Sequence, residues 1–363
     1  MQITFLVGNG FDISCGLRTS YSQFYKWYCK QDKSEKEHVN TFRETIDKDI
    51  KAGKKNWADF EEAMGEYTKN FSADSAYNYI DCFEDAHEKL MDYLEAERLR
   101  FDDTISEEEI KKQRIALKKF YSELSEQEVR TFDNLYQSNR GASSTISFIS
   151  FNYTDTLDRY IAEMAKVPLD VWQNTNGHQC TLSISPTVIH AHGRLDEHPI
   201  FGVNDEHQIA NKELLKTPNF AELLIKPKSV NALGKLWHEE ANKLIDKSAI
   251  ICIYGMSMGY TDATWFEKIM EWLQSDPNRQ IIVFWYTDKP SNKRSTWRYL
   301  ENEAFVRRIL TDYSDLTNEK IELIKSRIHV IENTQRVLQL KLKENTDVQK
   351  MILCSGNTVA SAL

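Results

Sequence analysis

Hydrophobic residues are distributed along the chain in two alternating patterns. Short continuous apolar runs, rich in Ile, Val and Phe, are typical of strands buried on both faces of a sheet. They occur at Gln2–Val7, Thr145–Phe151, Thr187–Ala191, Ala249–Tyr254, Gln280–Trp285 and Ile328–Ile331. The segments between several of these runs carry apolar residues at helical spacing. The alternation predicts an α/β fold with a Rossmann-like, mostly parallel sheet and with 328–331 as an edge strand.

The region between the first two runs has a different pattern. Residues 17–140 contain no proline and only two glycines, and their apolar residues recur at helical spacing. This pattern predicts a large all-helical insertion after the first strand, much longer than an ordinary connection. On one of its helices Trp57 fits the apolar stripe, whereas Asp59 and Glu61 are expected to face solvent. A lid, an oligomer interface and a sensor module all remain open as roles for the insertion.

These patterns divide the chain into three parts. We expect an α/β nucleotide-binding core formed by residues 1–19 and 141–335, a helical insertion at 20–140, and a C-terminal helical or tail segment at 336–363. Two smaller elements are predicted inside the core, a hairpin arm at Pro199–Val203 and a helix over Val230–Asp246.

Composition narrows the class of protein. The chain is 41% hydrophobic and 28% charged, with a net charge of -9 and a pI near 5.6, which fits a soluble globular protein and argues against a general nucleic-acid-coating surface. None of the six cysteines forms a C-x-x-C pair, so neither a zinc ribbon nor a disulfide framework is indicated. No apolar run is long enough to span a membrane, and Met1–Val7 enters the first strand without a signal-peptide pattern. We therefore expect a cytoplasmic protein that does not insert into membranes.

The first strand ends in a Gly8-Asn9-Gly10 turn. Glycines there allow a sharp turn and the close approach of a phosphate to main-chain N–H groups. Asn9 and Asp12 add polar groups at the carboxyl end of the strand, where open α/β sheets bind ligands. A full dinucleotide fingerprint needs a third glycine at the position of Ile13. A nucleotide-binding turn and a plain tight turn therefore both remain open.

Polar residues also follow the later strands. Asn152 either orients a water or a ribose hydroxyl or caps a helix. His192 is a candidate general base, since its ordinary pKa of ~6.5 suits proton transfer near neutrality. His190 lies two residues away and is expected on the same face, but a metal site would need further ligands. Ser257 and Asp262 are candidates for binding ribose or phosphate, with a turn and a helix N-cap as the alternative.

The motif after the last of these strands also fits a serine hydrolase. Gly255-x-Ser257-x-Gly259 has the spacing of a nucleophile elbow between a strand and a helix. Such enzymes need an acid and then a histidine later in the chain, and His329 is the only histidine that follows. The placement of polar residues after four successive strands favours one shared pocket instead.

These same segments resemble the AbiH family of bacterial abortive-infection proteins. The matching segments are LVGNGFDISCGLRTSYSQF, WADFEEAM, FISFNYTDTLDRY, IHAHGRLDEHPIFGVND and IYGMSMGYTDATWF, which span residues 3–265. The family is in turn distantly similar to sirtuin-like NAD-binding domains. That resemblance implies that Asn152 and His192 carry NAD cleavage. It implies NAD contacts from Gly8, Asn9, Gly10, Phe11, Asp12, Thr19, Asp155, Gly193, Gly255, Ser257 and Asp262. The four-cysteine zinc module of deacylating sirtuins is missing, so protein deacylation is not expected.

The resemblance implies an anti-phage effector that binds NAD as its substrate and hydrolyses the nicotinamide–ribose bond, without a metal. It further implies a homo-oligomer that responds to a phage-derived trigger or to a partner defence protein. Two alternatives remain. One is a nucleotide-sensing or partner-binding module without chemistry, and the other is a metal-dependent nuclease that uses His190, His192 and nearby acids.

Overall fold

The fold is described from a computed structural model. The structure describes residues 1–53, 60–102, 104–138, 143–166, 171–173, 179–234, 236–291 and 296–344. The predictions for Trp57 and Asp59, and for most of the C-terminal segment, lie outside the described residues.

A seven-stranded sheet forms the centre of the molecule. The strands of the described residues are β1 (Gln2–Val7), β2 (Phe101–Asp102), β3 (Ser144–Ser150), β4 (Val171–Gln173), β5 (Gln179–His190), β6 (Ile250–Tyr254), β7 (Gln280–Trp285), β8 (Ile328–Glu332) and β9 (Lys343–Glu344). Strands β2 and β9 form a separate two-stranded sheet, and the other strands form the central sheet. The sheet has the order β4-β5-β3-β1-β6-β7-β8, and all its pairs are parallel except β4 with β5. All six predicted strands are confirmed, and β8 lies at the edge as expected.

The order of the parallel strands defines where a ligand would bind. Taken in chain order, the six parallel strands are arranged 3-2-1-4-5-6, which is the Rossmann arrangement. The strand order reverses between β1 and β6, so the connections from these two strands diverge. A crevice opens at such a point, outside the carboxyl ends of the strands.

Helices cover both faces of the sheet. They are α1 (Gly10–Cys15), α2 (Tyr21–Tyr28), α3 (Glu37–Lys51), α4 (Phe60–Tyr67), α5 (Ala76–Leu99), α6 (Glu107–Lys118), α7 (Glu126–Ser138), α8 (Thr156–Ala165), α9 (Phe220–Leu224), α10 (Lys226–Leu233), α11 (Leu236–Lys247), α12 (Ala263–Ser275), α13 (Thr296–Thr311) and α14 (Asn318–Lys325). Because side chains alternate along a strand, Ile3 and Phe5 of β1 enter the core under α6 and α8, whereas Leu6 enters the core under α11 and α12.

The insertion contributes to two separate cores. Helices α2 to α5 pack around Phe24 and Tyr79, together with Phe201 and Phe220 from the chain that follows β5. Helices α6 and α7 instead cover the sheet, where Phe120, which follows α6, contacts Phe5 with ring centroids 5.8 Å apart. Among the described residues of the insertion, β2 is the one strand between the helices, and it pairs with β9. The division of the chain into domains stays a prediction.

Two smaller predictions are wrong. Pro199–Val203 is a loop rather than a hairpin arm, and Val203 forms an isolated parallel bridge with Ile225. The helix expected over Val230–Asp246 is two helices, α10 and α11, because Gly234 takes a left-handed conformation with φ of 58° and ends α10.

Candidate ligand-binding site

A cavity of about 750 Å³ opens at the carboxyl ends of the central strands. This volume lies within the ~300–1,000 Å³ range of small-molecule and cofactor sites. Seven of the predicted site residues line it: Gly8, Asn9, Gly10, His192, Gly255, Ser257 and Asp262. The residues after β1, β5 and β6 therefore meet at the point where the strand order reverses, whereas Asn152, which was expected at the same pocket, is not among the lining residues.

The glycines of the first turn serve loop packing. The N–H of Gly8 donates to the carbonyl of Tyr254 at 2.9 Å, and the N–H of Gly10 donates to the carbonyl of Gly255 at 2.8 Å. A Cβ on Gly10 would lie 2.6 Å from the Cα of Gly255, and Gly255 itself has a φ of +64°. The two loops approach so closely that only glycine fits. The expected donation of these two N–H groups to a phosphate is not compatible with this conformation.

The side chain of Asn9 is fixed by Thr19. Its Nδ2 donates to the main-chain carbonyl of Thr19 at 2.7 Å, and its Oδ1 accepts from the Thr19 hydroxyl at 2.5 Å. Both polar atoms of the Asn9 amide are therefore engaged at the cavity wall. Thr19 itself is buried behind Asn9, so it positions a lining residue rather than lining the cavity.

His192 lies in the turn after β5 and lines the cavity. Its ring meets that of Phe151 edge-on, with centroids 5.3 Å apart. Its Nε2 lies 3.0 Å from Oδ1 of Asp262, although the two groups are not aligned as a hydrogen bond. Burial and the nearby Lys226 ammonium lower the pKa of His192, and Asp262 only partly offsets this. The imidazole is therefore neutral near pH 7, as a general base must be.

A buried ion network lies behind His192, and sequence reasoning missed it. Nζ of Lys226 donates to Oε2 of Glu61 at 2.6 Å and to Oδ1 of Asp262 at 2.9 Å. Burial would lower the pKa of Lys226, but the two carboxylates raise it above its ordinary value. The expectation that Glu61 faces solvent is wrong, since it is 4% exposed and Lys226 neutralises it.

Asn152 and Asp12 lie together outside the cavity lining. Both side chains are buried, and neither polar atom of the Asn152 amide has a hydrogen-bond partner among the described residues. Oδ2 of Asp12 accepts from the Thr154 hydroxyl at 2.5 Å. Burial raises the pKa of Asp12 to about 7, although the hydrogen bond from Thr154 acts in the opposite direction. Asp12 is therefore a buried carboxyl group outside the cavity lining rather than an exposed ligand for ribose.

Three further predicted residues also lie outside the lining. Phe11 is fully buried between Tyr160 and Tyr254. Asp155 stands at the start of α8, where it pairs with Arg98 at 2.7 Å and with Arg159 at 2.8 Å. Gly193 has a φ of +79° and allows the turn after His192.

His190 and His192 belong to different networks. The strand ends at His190, whose Nδ1 contacts the carbonyl of Asn152 at 2.9 Å and whose Nε2 contacts Oδ2 of Asp158 at 2.8 Å. Within the described ranges there is no group of three or more His, Cys, Asp or Glu side chains arranged to hold a metal ion. His329 lies in another cavity, between Glu128 and Gln280, where it cannot serve Ser257.

The far end of the cavity was not predicted. It is lined from the ends of β7 and β8, by Phe284, Trp285, Tyr286, Asn333, Thr334, Gln335 and Gln339. The Asn333-Thr334 pair, which begins two residues after the predicted strand Ile328–Ile331, repeats the pattern seen at the other strand ends. That signal could have located this end of the site.

The fold and the cavity define a Rossmann-like α/β protein with a ligand-sized site at its switch point. A family model described as "Bacteriophage abortive infection AbiH" matches residues 4–286. The chain therefore belongs to the AbiH family of bacteriophage abortive-infection proteins. No curated protein matches the chain. Among the residues that the structure describes, no helix has both the length and the apolar content to cross a membrane.

Proposed function

We propose that this protein acts in abortive infection by binding NAD in the switch-point cavity and hydrolysing its nicotinamide–ribose bond. The observation that carries the proposal is the position of the His192 imidazole at the wall of a cavity formed by the ends of the central parallel strands. The lowered pKa of His192 favours its neutral form near pH 7. A base of this kind can accept a proton from water or from a ribose hydroxyl.

The extent of the cavity favours an elongated ligand. Its lining runs from His192, after β5, to Thr334, after β8. These strands are separated by five strand spacings of ~4.8 Å, or roughly 24 Å. An extended dinucleotide would use this span more fully than a mononucleotide. The nicotinamide riboside half would lie beside His192, and the adenosine half would lie near Trp285 and Tyr286.

The charges around the cavity suit the proposed chemistry. Cleavage of a glycosidic bond develops positive charge on the ribose, as in an oxocarbenium-like transition state. The Asp262 and Glu61 carboxylates lie at the His192 end and would stabilise that charge. Nicotinamide leaves as a neutral molecule, so no acid is needed to protonate it. Neither lysine nor arginine is among the described lining residues, so hydroxyls such as those of Ser14 and Ser257 would contact the pyrophosphate.

Release of nicotinamide from NAD tests the proposal. The purified protein is incubated with NAD, with and without extract from phage-infected cells as the trigger, and nicotinamide is measured by chromatography. His192→Gln should lower turnover at least ~100-fold while NAD affinity changes by only a few fold. His207→Gln, a substitution of an exposed histidine, is the matched control and should retain full turnover. Unchanged turnover in His192→Gln would contradict the proposed role.

One observation favours a second candidate, a nucleotide-binding module without chemistry. The Asn152 side chain is outside the cavity lining, whereas the resemblance to sirtuin-like domains implies that this residue takes part in cleavage. Under this alternative, NAD stabilises the wild-type protein against heat, and no nicotinamide appears with any trigger. Melting curves with and without NAD, run beside the chromatography assay, separate the two functions.

A further inference from the structure

One carboxylate oxygen joins His192 to the helical insertion. Oδ1 of Asp262 lies 3.0 Å from Nε2 of His192 and accepts a hydrogen bond from Nζ of Lys226 at 2.9 Å. The same Nζ reaches Oε2 of Glu61 on α4 at 2.6 Å. The side chains of Lys226 and Glu61 are each at most 7% exposed, so solvent screens their charges poorly. The network therefore connects α4 of the insertion, α10 and the turns after β5 and β6.

Asp262 occupies the N-cap position of α12, but its side chain makes no capping hydrogen bond there. Its carboxylate is turned toward Lys226 and His192 instead. A buried lysine that bonds two carboxylates fixes both of them, because each would otherwise be an uncompensated buried charge. The position of the Asp262 carboxylate under the imidazole therefore depends on Lys226.

We propose that Lys226 is a positioning residue for the reaction at His192, which holds the Asp262 carboxylate against the imidazole while Glu61 of the insertion balances its charge. This inference rests on the proposed function, since the reaction is the one proposed above. It assigns a role in the site to the insertion, which supplies Glu61.

The network also sets the charge of His192. Among the described residues, Asp262, Lys226, Tyr153 and His238 lie around the imidazole, and Glu61 lies behind Lys226 and Tyr153. The Lys226 ammonium opposes protonation of His192, whereas the carboxylates favour it. Removing Lys226 should therefore raise the pKa of His192, and removing the charge of Glu61 should lower it. A purely structural role predicts no such pair of opposite shifts.

The experiment is an NMR titration of histidine-labelled full-length protein. The His192 signal is assigned by its absence from His192→Gln, and titrations are compared for wild type, Lys226→Met and Glu61→Gln. Lys228→Met is the matched control, because this lysine lies two residues away, has a side chain that is 42% exposed and pairs with Glu206 on the surface. We expect the pKa of His192 to rise by more than about one unit in Lys226→Met, to fall in Glu61→Gln and to stay unchanged in the control.

Shifts of the same sign in both variants, or shifts below about 0.3 unit, would overturn the proposal. If Lys226→Met does not fold, Glu61→Gln decides: a lower pKa supports the proposal, and an equal or higher pKa overturns it. The titration needs no NAD, so failure of the proposed NAD hydrolysis is distinguishable from failure of this network. Where wild type cleaves NAD, the acid limb of its pH–rate profile should move to higher pH in Lys226→Met.

Discussion

The buried carboxyl group of Asp12 should make the protein less stable at alkaline pH than at acid pH. Its folded-state pKa is about 7, compared with 3.8 for an ordinary aspartate, and burial is the main cause. The folded protein therefore keeps this proton when the unfolded chain has lost it. Below pH 3.8 both states are protonated and there is no penalty. The penalty grows from there to about pH 7 and is constant above it.

The size of the penalty follows from the shift. A difference of roughly 3 pKa units corresponds to ~4 kcal/mol at ~1.4 kcal/mol per unit. Asp12 is 1% exposed, so solvent screening hardly reduces this upper limit. Asp12→Asn removes the ionisable group, and its amide oxygen can still accept the hydrogen bond from Thr154. An unfolding entropy of ~2.1 cal/mol/K per residue over 363 residues converts ~4 kcal/mol into a rise of ~5 °C in melting temperature.

The assay is thermal unfolding followed by tryptophan fluorescence at pH 5 and pH 8. Asp12→Asn should melt at a higher temperature than wild type by up to ~5 °C at pH 8, and by roughly a third of that at pH 5. Asp312→Asn, which changes an exposed aspartate, is the control and should melt like wild type at both pH values. An Asp12→Asn effect that is the same at both pH values would refute the reasoning.

Three further predictions use the same melting assay. Gly10→Ala should destabilise the protein by about 1–3 kcal/mol, because the added Cβ would overlap Gly255. Gly53→Ala is the control: its Cβ would meet no neighbour, so only the strain of the positive φ should lower stability there. His87→Phe should stabilise the protein increasingly as the pH falls below 6.5, because burial lowers the pKa of His87 to about 4 and the unfolded chain takes up the proton first; equal stabilisation at pH 8 and pH 5 would contradict this. Thr19→Val should weaken NAD binding several-fold, because it removes the hydroxyl that bonds Asn9 Oδ1 and leaves the Asn9 amide held only by the main-chain carbonyl of residue 19. An unchanged NAD-induced shift in melting temperature would argue against that role.

The sheet was predictable because its strands are buried on both faces. Runs such as Ala249–Tyr254 contain no polar position and so do not resemble a surface helix. Their secondary structure and their bounds could therefore be predicted from the sequence. The convergence of Asn9, His192 and Ser257 followed from the fact that parallel strands share one carboxyl edge. The turn at Gly234 was not recognised because a single glycine inside a helical pattern is often tolerated.

The network behind His192 was not predictable from local pattern. Glu61 lies on an amphipathic helix, where spacing alone assigns a carboxylate to solvent. It is buried because the segment carrying Lys226 packs over α4, about 165 residues further along the chain. The hydrogen bonds of the Gly8 and Gly10 N–H groups could not be predicted either. The sequence identifies a turn, but it does not show which N–H groups of the turn already donate to the carbonyls of another loop.

The central position of β1 has a consequence for how the protein is made. This apolar strand is synthesised well before its two neighbours, which begin at Ser144 and Ile250. At typical elongation rates of 5–20 residues/s, β1 waits roughly 10 to 50 s before both partners have been synthesised. During that time the unpaired edges of β1 are exposed to other chains, so we expect the yield of native protein to depend on a chaperone that shields the nascent β1 strand.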